Sequence, residues 1–156
     1  MDDAQVRKVT DRLRRLCSRR EYCSADILKK AENALSGDKE LAKRVLAELT
    51  KEKYVDDLRY ATAFSRDKST IAGWGVTKIR YALCSKGVIR EVIDEALQEI
   101  DLSKAIARLD KLLENKYRSL KDDPQCRMKL LRFGLGRGYS YDDVAEAVRR
   151  IMYNQL

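Results

Sequence analysis

The sequence predicts an all-α protein: three tandem three-helix repeats stacked into an elongated, curved array. Three observations predict it. Glycine and proline number only 7 and 1 in 156 residues, whereas sheets and sandwiches need frequent turn residues. Apolar residues recur at helical spacing in nine successive segments, without β-branched runs of strict alternation. Finally, "SKGVIREVIDEAL" at 85–97 is echoed by "GRGYSYDDVAEAV" at 136–148. With Gly87 set over Gly138, Ile93 falls on Val144, Ala96 on Ala147 and Leu97 on Val148.

The first helix is expected from about Asp3 to Ser18, with Val6, Val9, Leu13 and Leu16 on one side. Ser24 is placed to N-cap the second, which carries Ile27, Leu28, Ala31 and Leu35. "SGD" at 36–38 stops that helix and starts a third, with Leu41, Val45, Leu46 and Leu49 inside. The fourth begins at Asp56-Asp57, where carboxylates meet the unpaired N–H groups of a helix start. Its predicted inner face is Leu58, Ala61 and Phe64. "STIAGWG" breaks the pattern.

The fifth helix carries Val76, Ile79 and Leu83, and Gly87 ends it in the left-handed conformation that glycine tolerates. The sixth holds Val92, Ile93, Ala96, Leu97 and Ile100. Asp101 caps the seventh, whose stripe is Ala105, Ile106, Leu109, Leu112 and Leu113. Pro124 follows a predicted Asp123 cap, where its missing N–H costs nothing. The eighth carries Met128, Leu130, Leu131 and Phe133 and ends near Gly136 or Gly138. Ser140-x-x-Asp143 resembles a capping box and opens the ninth, with Val144, Val148, Ile151 and Met152.

Taken in threes, these helices give repeats of 1–52, 53–101 and 102–156. Val45/Leu49, Ile93/Leu97 and Val144/Val148 mark the same i, i+4 pair in each. The first repeat fits least tightly because its turn, "NALSGDKE", is longer. Units of about 50 residues barely sustain a core alone. Stacking covers each unit's apolar face with its neighbour and leaves a long surface suited to a long or repeating partner.

Composition narrows the function. The chain has no histidine, which removes the commonest general base and metal ligand. Neither a catalytic set nor a cofactor is predicted. Cys17, Cys23, Cys84 and Cys126 form no CxxC pair. With no apolar leader in "MDDAQVRKVT" and no membrane-length apolar run, reduced thiols in a cytoplasmic chain are expected. The net charge of +8 favours nucleic acid or an acidic protein as partner.

The bases are unevenly spread. "RKVTDRLRRLCSRR" at 7–20 holds seven bases and one acid, and the second helix of every repeat adds more. The candidate contacts are Arg19, Arg20, Lys29, Lys30, Lys78, Arg80, Lys86, Arg90, Lys129, Arg132 and Arg137. A charge run is also what a solvated helix face looks like, but recurrence in all three repeats suits a track along a phosphate backbone or acidic groove. The tyrosines either stack on bases or seal helix interfaces. Trp74, between two glycines, reads as a packed staple or an exposed contact. "GLGRG" at 134–138 lacks the spacing and preceding strand of a phosphate loop. Asp56-Asp57 and Asp122-Asp123 read as caps, since adjacent helical residues do not face one another.

"YVDDLRYATAFSRDKSTIAGWGVTKIRYALCSKGV" at 54–88 resembles the central passage of the RecX regulatory proteins of bacteria. The shared features are Tyr54, Asp56-Asp57, Tyr60-Ala61, Gly75, Lys78-Ile79, Leu83 and Lys86-Gly87. "RREYCSADILKK" at 19–30 resembles the family's first signature, and "FGLGRGYSYDDVAEAV" at 133–148 its third. Ala82 departs from the glutamate common in the family before the leucine, and Gly134 stands opposite Leu83. The resemblance implies a non-enzymatic modulator of the RecA recombinase, lodged in the groove of the RecA–single-stranded-DNA filament; the chain is expected to be a monomer. It further implies restraint of ATP hydrolysis, strand exchange and repressor self-cleavage, in DNA repair, homologous recombination and the SOS response.

A different reading is a stand-alone DNA-binding protein, because "KG" at 86–87 and "RG" at 137–138 lie between helices as in a helix-turn-helix. A carboxylate-only nuclease would show magnesium-dependent cleavage.

Overall fold

The computed structural model describes residues 2–154, and among these every regular element is an α-helix. In chain order they are α1 (Asp3–Arg19), α2 (Ser24–Ala34), α3 (Lys39–Lys51), α4 (Asp57–Thr70), α5 (Val76–Ser85), α6 (Arg90–Leu97), α7 (Leu102–Leu120), α8 (Cys126–Gly136) and α9 (Tyr141–Asn154). The predicted helices are all present among the described residues. The outermost residues of the first and third predicted repeats, Met1 and 155–156, lie outside them.

Short polar side chains start most of these helices. Asp2, Asp38 and Asp101 accept the N–H groups of Gln5, Leu41 and Lys104 at 2.8, 3.1 and 3.2 Å. Asp56 accepts from Arg59 N–H at 3.1 Å, and the Ser140 hydroxyl from Asp143 N–H at 3.2 Å. Each such cap satisfies a donor that the helix itself leaves unpaired.

The echoed passages make the same turn. Gly87 N–H donates to Cys84 C=O and Val88 N–H reaches back to Leu83 C=O. Gly138 and Tyr139 repeat this onto Leu135 and Gly134. Both glycines are left-handed, at φ 80° and 96°. The first triplet instead places two successive residues there, Ser36 at 57° and Gly37 at 83°, which accounts for its longer turn.

Four expectations are corrected. Ser24 is the first residue of α2, not its cap; the cap position is Cys23, which offers no side-chain bond. Asp57 does the work from a distance: its carboxylate accepts both Ser24 N–H, at 2.7 Å, and the Ser24 hydroxyl, at 2.6 Å. Asp123 caps a turn before α8, accepting Gln125 N–H at 2.8 Å, and α8 begins only at Cys126. On α4 the buried residues are Ala61, Ser65 and Ser69, whereas Leu58 and Phe64 are half-buried. On α8 they are Cys126, Leu130 and Gly134, spaced i, i+4, i+8. Met128 lies on the opposite side of that helix and is 58% exposed.

The chain divides into two compact units. One gathers the described residues of Met1–Phe64 and Leu83–Ala96. Its main core joins α1, α2 and α3 through Val9, Leu13, Ile27, Ala31, Leu35, Val45 and Leu49. Arg14 ties α1 to α3 by donating to Asp11, Glu48 and Glu52. The other unit gathers Ser65–Ala82 and the described residues of Leu97–Leu156. There Leu109, Leu113, Leu130, Val144, Val148 and Ile151 join α7, α8 and α9. Each fully buried leucine contributes about 1.5–3 kcal/mol of transfer free energy. In that core a methyl group on Gly134 would fall 2.6 Å from Val144 Cγ1. This is why glycine stands where the middle triplet has Leu83.

Candidate functional site

Basic side chains gather on aromatic rings, one ring in each helix triplet. The Arg20 guanidinium and the Lys30 ammonium lie 4.2 and 5.8 Å from the Tyr22 ring centroid. Lys68 and Lys78 lie 4.7 and 4.6 Å from that of Trp74. Lys116 and Arg137 lie 5.3 and 5.8 Å from that of Phe133. The electron-rich ring faces attract the cations, so the charged ends are held against rings and not left to wander.

The candidate contacts fall into groups. Arg19, Lys29 and Arg132 are exposed and form no ion pair among the described residues. Arg20 and Lys30 are brought together on Tyr22. Lys86 is 3.2 Å from the Asp26 carboxylate, and that hydrogen bond raises its pKa. Lys129 is 2.5 Å from Asp123, whose carboxyl is held below its ordinary value by Lys129 and by Gln125 N–H. Arg90 is exposed, 4.0 Å from Asp94, and Arg80 is half-buried.

Arg137 does not point outward as the echo of Lys86 suggests. It is half-buried and donates from Nη2 to the Ala72 carbonyl at 3.2 Å, while its Nε is buried without a partner. Arg108 is arranged alike: Nη2 donates to Ser69 Oγ at 2.6 Å and Nε is orphaned. Tyr139 donates its hydroxyl to the Gly73 carbonyl at 3.1 Å. Burial pushes the pKa of this hydroxyl up, against the pull of the two guanidiniums.

A backbone clasp holds this cluster. The α4–α5 loop and the α8–α9 turn are joined by Gly75 N–H to Arg137 C=O at 2.8 Å and Thr77 N–H to Gly138 C=O at 3.0 Å. The approach is so close that a methyl on Gly138 would fall 2.3 Å from Lys78 Cβ. Trp74, Lys78 and Arg137 therefore have fixed backbone positions. Trp74 is half-buried and lines a cavity of about 200 Å³ with Ser69, Val76, Ile106 and Tyr139. It is a partly packed staple whose ring also carries two cations.

Sequence reasoning missed Lys68, Arg108 and Lys116. Lys68 meets Trp74 across a loop, and Lys116 meets Phe133 from another helix, so no spacing rule marks either pair. The acid pairs are committed elsewhere: Asp56 caps α4, Asp57 holds Ser24 and Asp123 holds Lys129. Among the described residues no group of cysteines and carboxylates is placed to hold a metal ion, and no helix is long and apolar enough to cross a membrane.

Residues 56–97 match the family model of the second three-helix domain of RecX, and residues 104–148 that of the third. "Regulatory protein RecX" of Pseudomonas entomophila is 32% identical over 128 residues, covering 81% of both chains. That of Clostridium tetani is 31% identical over 121 residues, 75% of this chain and 55% of that one. The chain thus spans about half the length of its clostridial relatives. Two solved structures share the fold. A crystal structure of regulatory protein RecX gives a TM-score of 0.84 at 24% identity, covering 94% of this chain and 72% of that one. RecX from Lactobacillus salivarius gives 0.83 at 16%, covering 96% and 98%. Matched by two successive domain models and by a relative along most of both lengths, this chain belongs to the RecX family.

Proposed function

We propose that the chain is a non-enzymatic regulator that binds the RecA–single-stranded-DNA filament. There it restrains ATP hydrolysis, strand exchange and repressor self-cleavage in DNA repair and the SOS response. Family membership along most of the chain is the observation that carries this reading. The triplets 1–52, 53–101 and 102–156 serve as successive docking units of a cytoplasmic monomer. Arg19, Lys29 and Arg132, exposed and without ion pairs among the described residues, are the readiest of the eleven basic residues to meet an anionic partner. The other candidates either rest on rings or exchange an internal partner for an external one.

Co-sedimentation with RecA filaments tests the reading. The protein is expected in the pellet with RecA, single-stranded DNA and nucleotide together. Glutamate at Arg19, Lys29 and Arg132 is expected to release it, with helical content unchanged. Tight binding to one duplex sequence in the absence of RecA would instead favour a stand-alone DNA-binding protein.

A further inference from the structure

We infer that the α4–α5 loop is a stacking site for one base of single-stranded nucleic acid, with Trp74 as the platform and Lys68, Lys78 and Arg137 on its phosphates. This deepens the filament reading, on which it rests, by naming the component that the loop touches.

The first observation concerns two cations of the cluster, Lys78 and Arg137. Among the described residues neither Lys78 nor Arg137 is paired with a carboxylate. Arg137 spends one nitrogen on the Ala72 carbonyl and leaves Nε buried without a partner. A half-buried guanidinium without a carboxylate is costly by itself, and an arriving phosphate would relieve it.

The second observation is the ring. Both lysine ammoniums lie within 5 Å of the Trp74 centroid, close enough to reach the phosphates on either side of one stacked nucleotide. A base on an aromatic face is worth more than an exposed cation–π contact. The exchange is therefore downhill: the base takes a ring face and the displaced ammonium moves to a phosphate. No bond is made or broken.

The third observation is rigidity. The clasp from Gly75 to Arg137 and from Thr77 to Gly138 fixes the loop before any ligand arrives. Ile71, three residues before Trp74 in the chain, is 83% exposed and adds apolar surface to the loop. Stacking needs a base face, which a duplex hides, so the fitting partner is a single strand.

Trp74 is the sole tryptophan, so its fluorescence reports on this site alone. Titration with a short oligothymidylate, without RecA, is expected to quench it to saturation. By the anisotropy of a dye-labelled oligonucleotide, Trp74→Ala is expected to weaken binding by between about fivefold and a hundredfold, the worth of one stacked base. Trp74→Phe should recover part of the loss. Lys78→Gln should lower the salt slope by about one phosphate contact. Circular dichroism checks folding, and if Trp74→Ala does not fold, the Trp74→Phe and Lys78→Gln variants carry the test. Unchanged fluorescence at saturation, unchanged affinity in the variants, or equal affinity for the duplex would overturn the inference. Quenching without any effect on RecA would overturn the filament reading and leave the stacking site standing; an effect on RecA without quenching would do the reverse.

Discussion

Gly75 and Gly138 meet backbone to backbone: a methyl group on Gly75 would fall 2.4 Å from the carbonyl carbon of Gly138. Neither has room for a side chain, and Gly138 is also left-handed. Gly75→Ala is expected to cost about 1–3 kcal/mol through overpacking, and Gly138→Ala about 1–2 kcal/mol more through its backbone conformation. Gly136 faces open space at the end of α8. Gly136→Ala should be neutral or stabilising by up to about 1 kcal/mol. Urea denaturation of the three variants checks the order.

Asp57 caps a helix that is not its own. Removing it by Asp57→Ala takes a charged acceptor from both Ser24 N–H and the Ser24 hydroxyl, at an expected cost of about 1–3 kcal/mol. Asp56→Ala removes an ordinary exposed cap and should cost about 0.5–1 kcal/mol. Equal losses in chemical denaturation would contradict the long-range cap.

The Asp123 carboxyl is held below its ordinary value of 3.8 by Lys129 and by Gln125 N–H. A depressed folded value means that its stabilising contribution is full above the unfolded value and is lost as pH falls through the folded one. Glu146, lowered by Arg149, has the same sign. Asp123→Asn should therefore be less stable than the parent at neutral pH, and the difference should begin to shrink as pH falls below about 4. Denaturant midpoints across that range measure it.

The four cysteines are all free thiols. Cys17, Cys23 and Cys126 are buried, and burial pushes their pKa values up, which suppresses the reactive thiolate. Cys84 is exposed. One fast-reacting thiol is expected under native conditions, and peptide mass spectrometry after brief alkylation should place the label on Cys84.

Much of the fold is legible in the sequence because it is local. Asp2, Asp38, Asp101 and Ser140 bond to N–H groups three residues on, and Gly87 and Gly138 mark their own turns. Apolar periodicity finds helices whose inner face is large, as with Leu109 and Leu113. It fails on α4, where Ser65 and Ser69 are buried and read as polar. It also assigns Met128 inward, because Met128 is apolar and only its angular distance from Leu130 says otherwise.

The basic surface is less legible. Its residue types are plain, but their states are tertiary. Lys86 and Lys129 meet Asp26 and Asp123, Arg137 turns toward Ala72, and Lys68 crosses a loop to Trp74. The glycines at 75 and 138 both read as turn residues, and only the fold shows that each makes room for the other.

The central claim is regulation of the recombinase filament. ATP hydrolysis by RecA on single-stranded DNA, followed as this protein is added to stoichiometric amounts, tests it most directly. The account predicts a progressive fall in rate, abolished by glutamate at Arg19, Lys29 and Arg132. A rate unchanged at every ratio would contradict it.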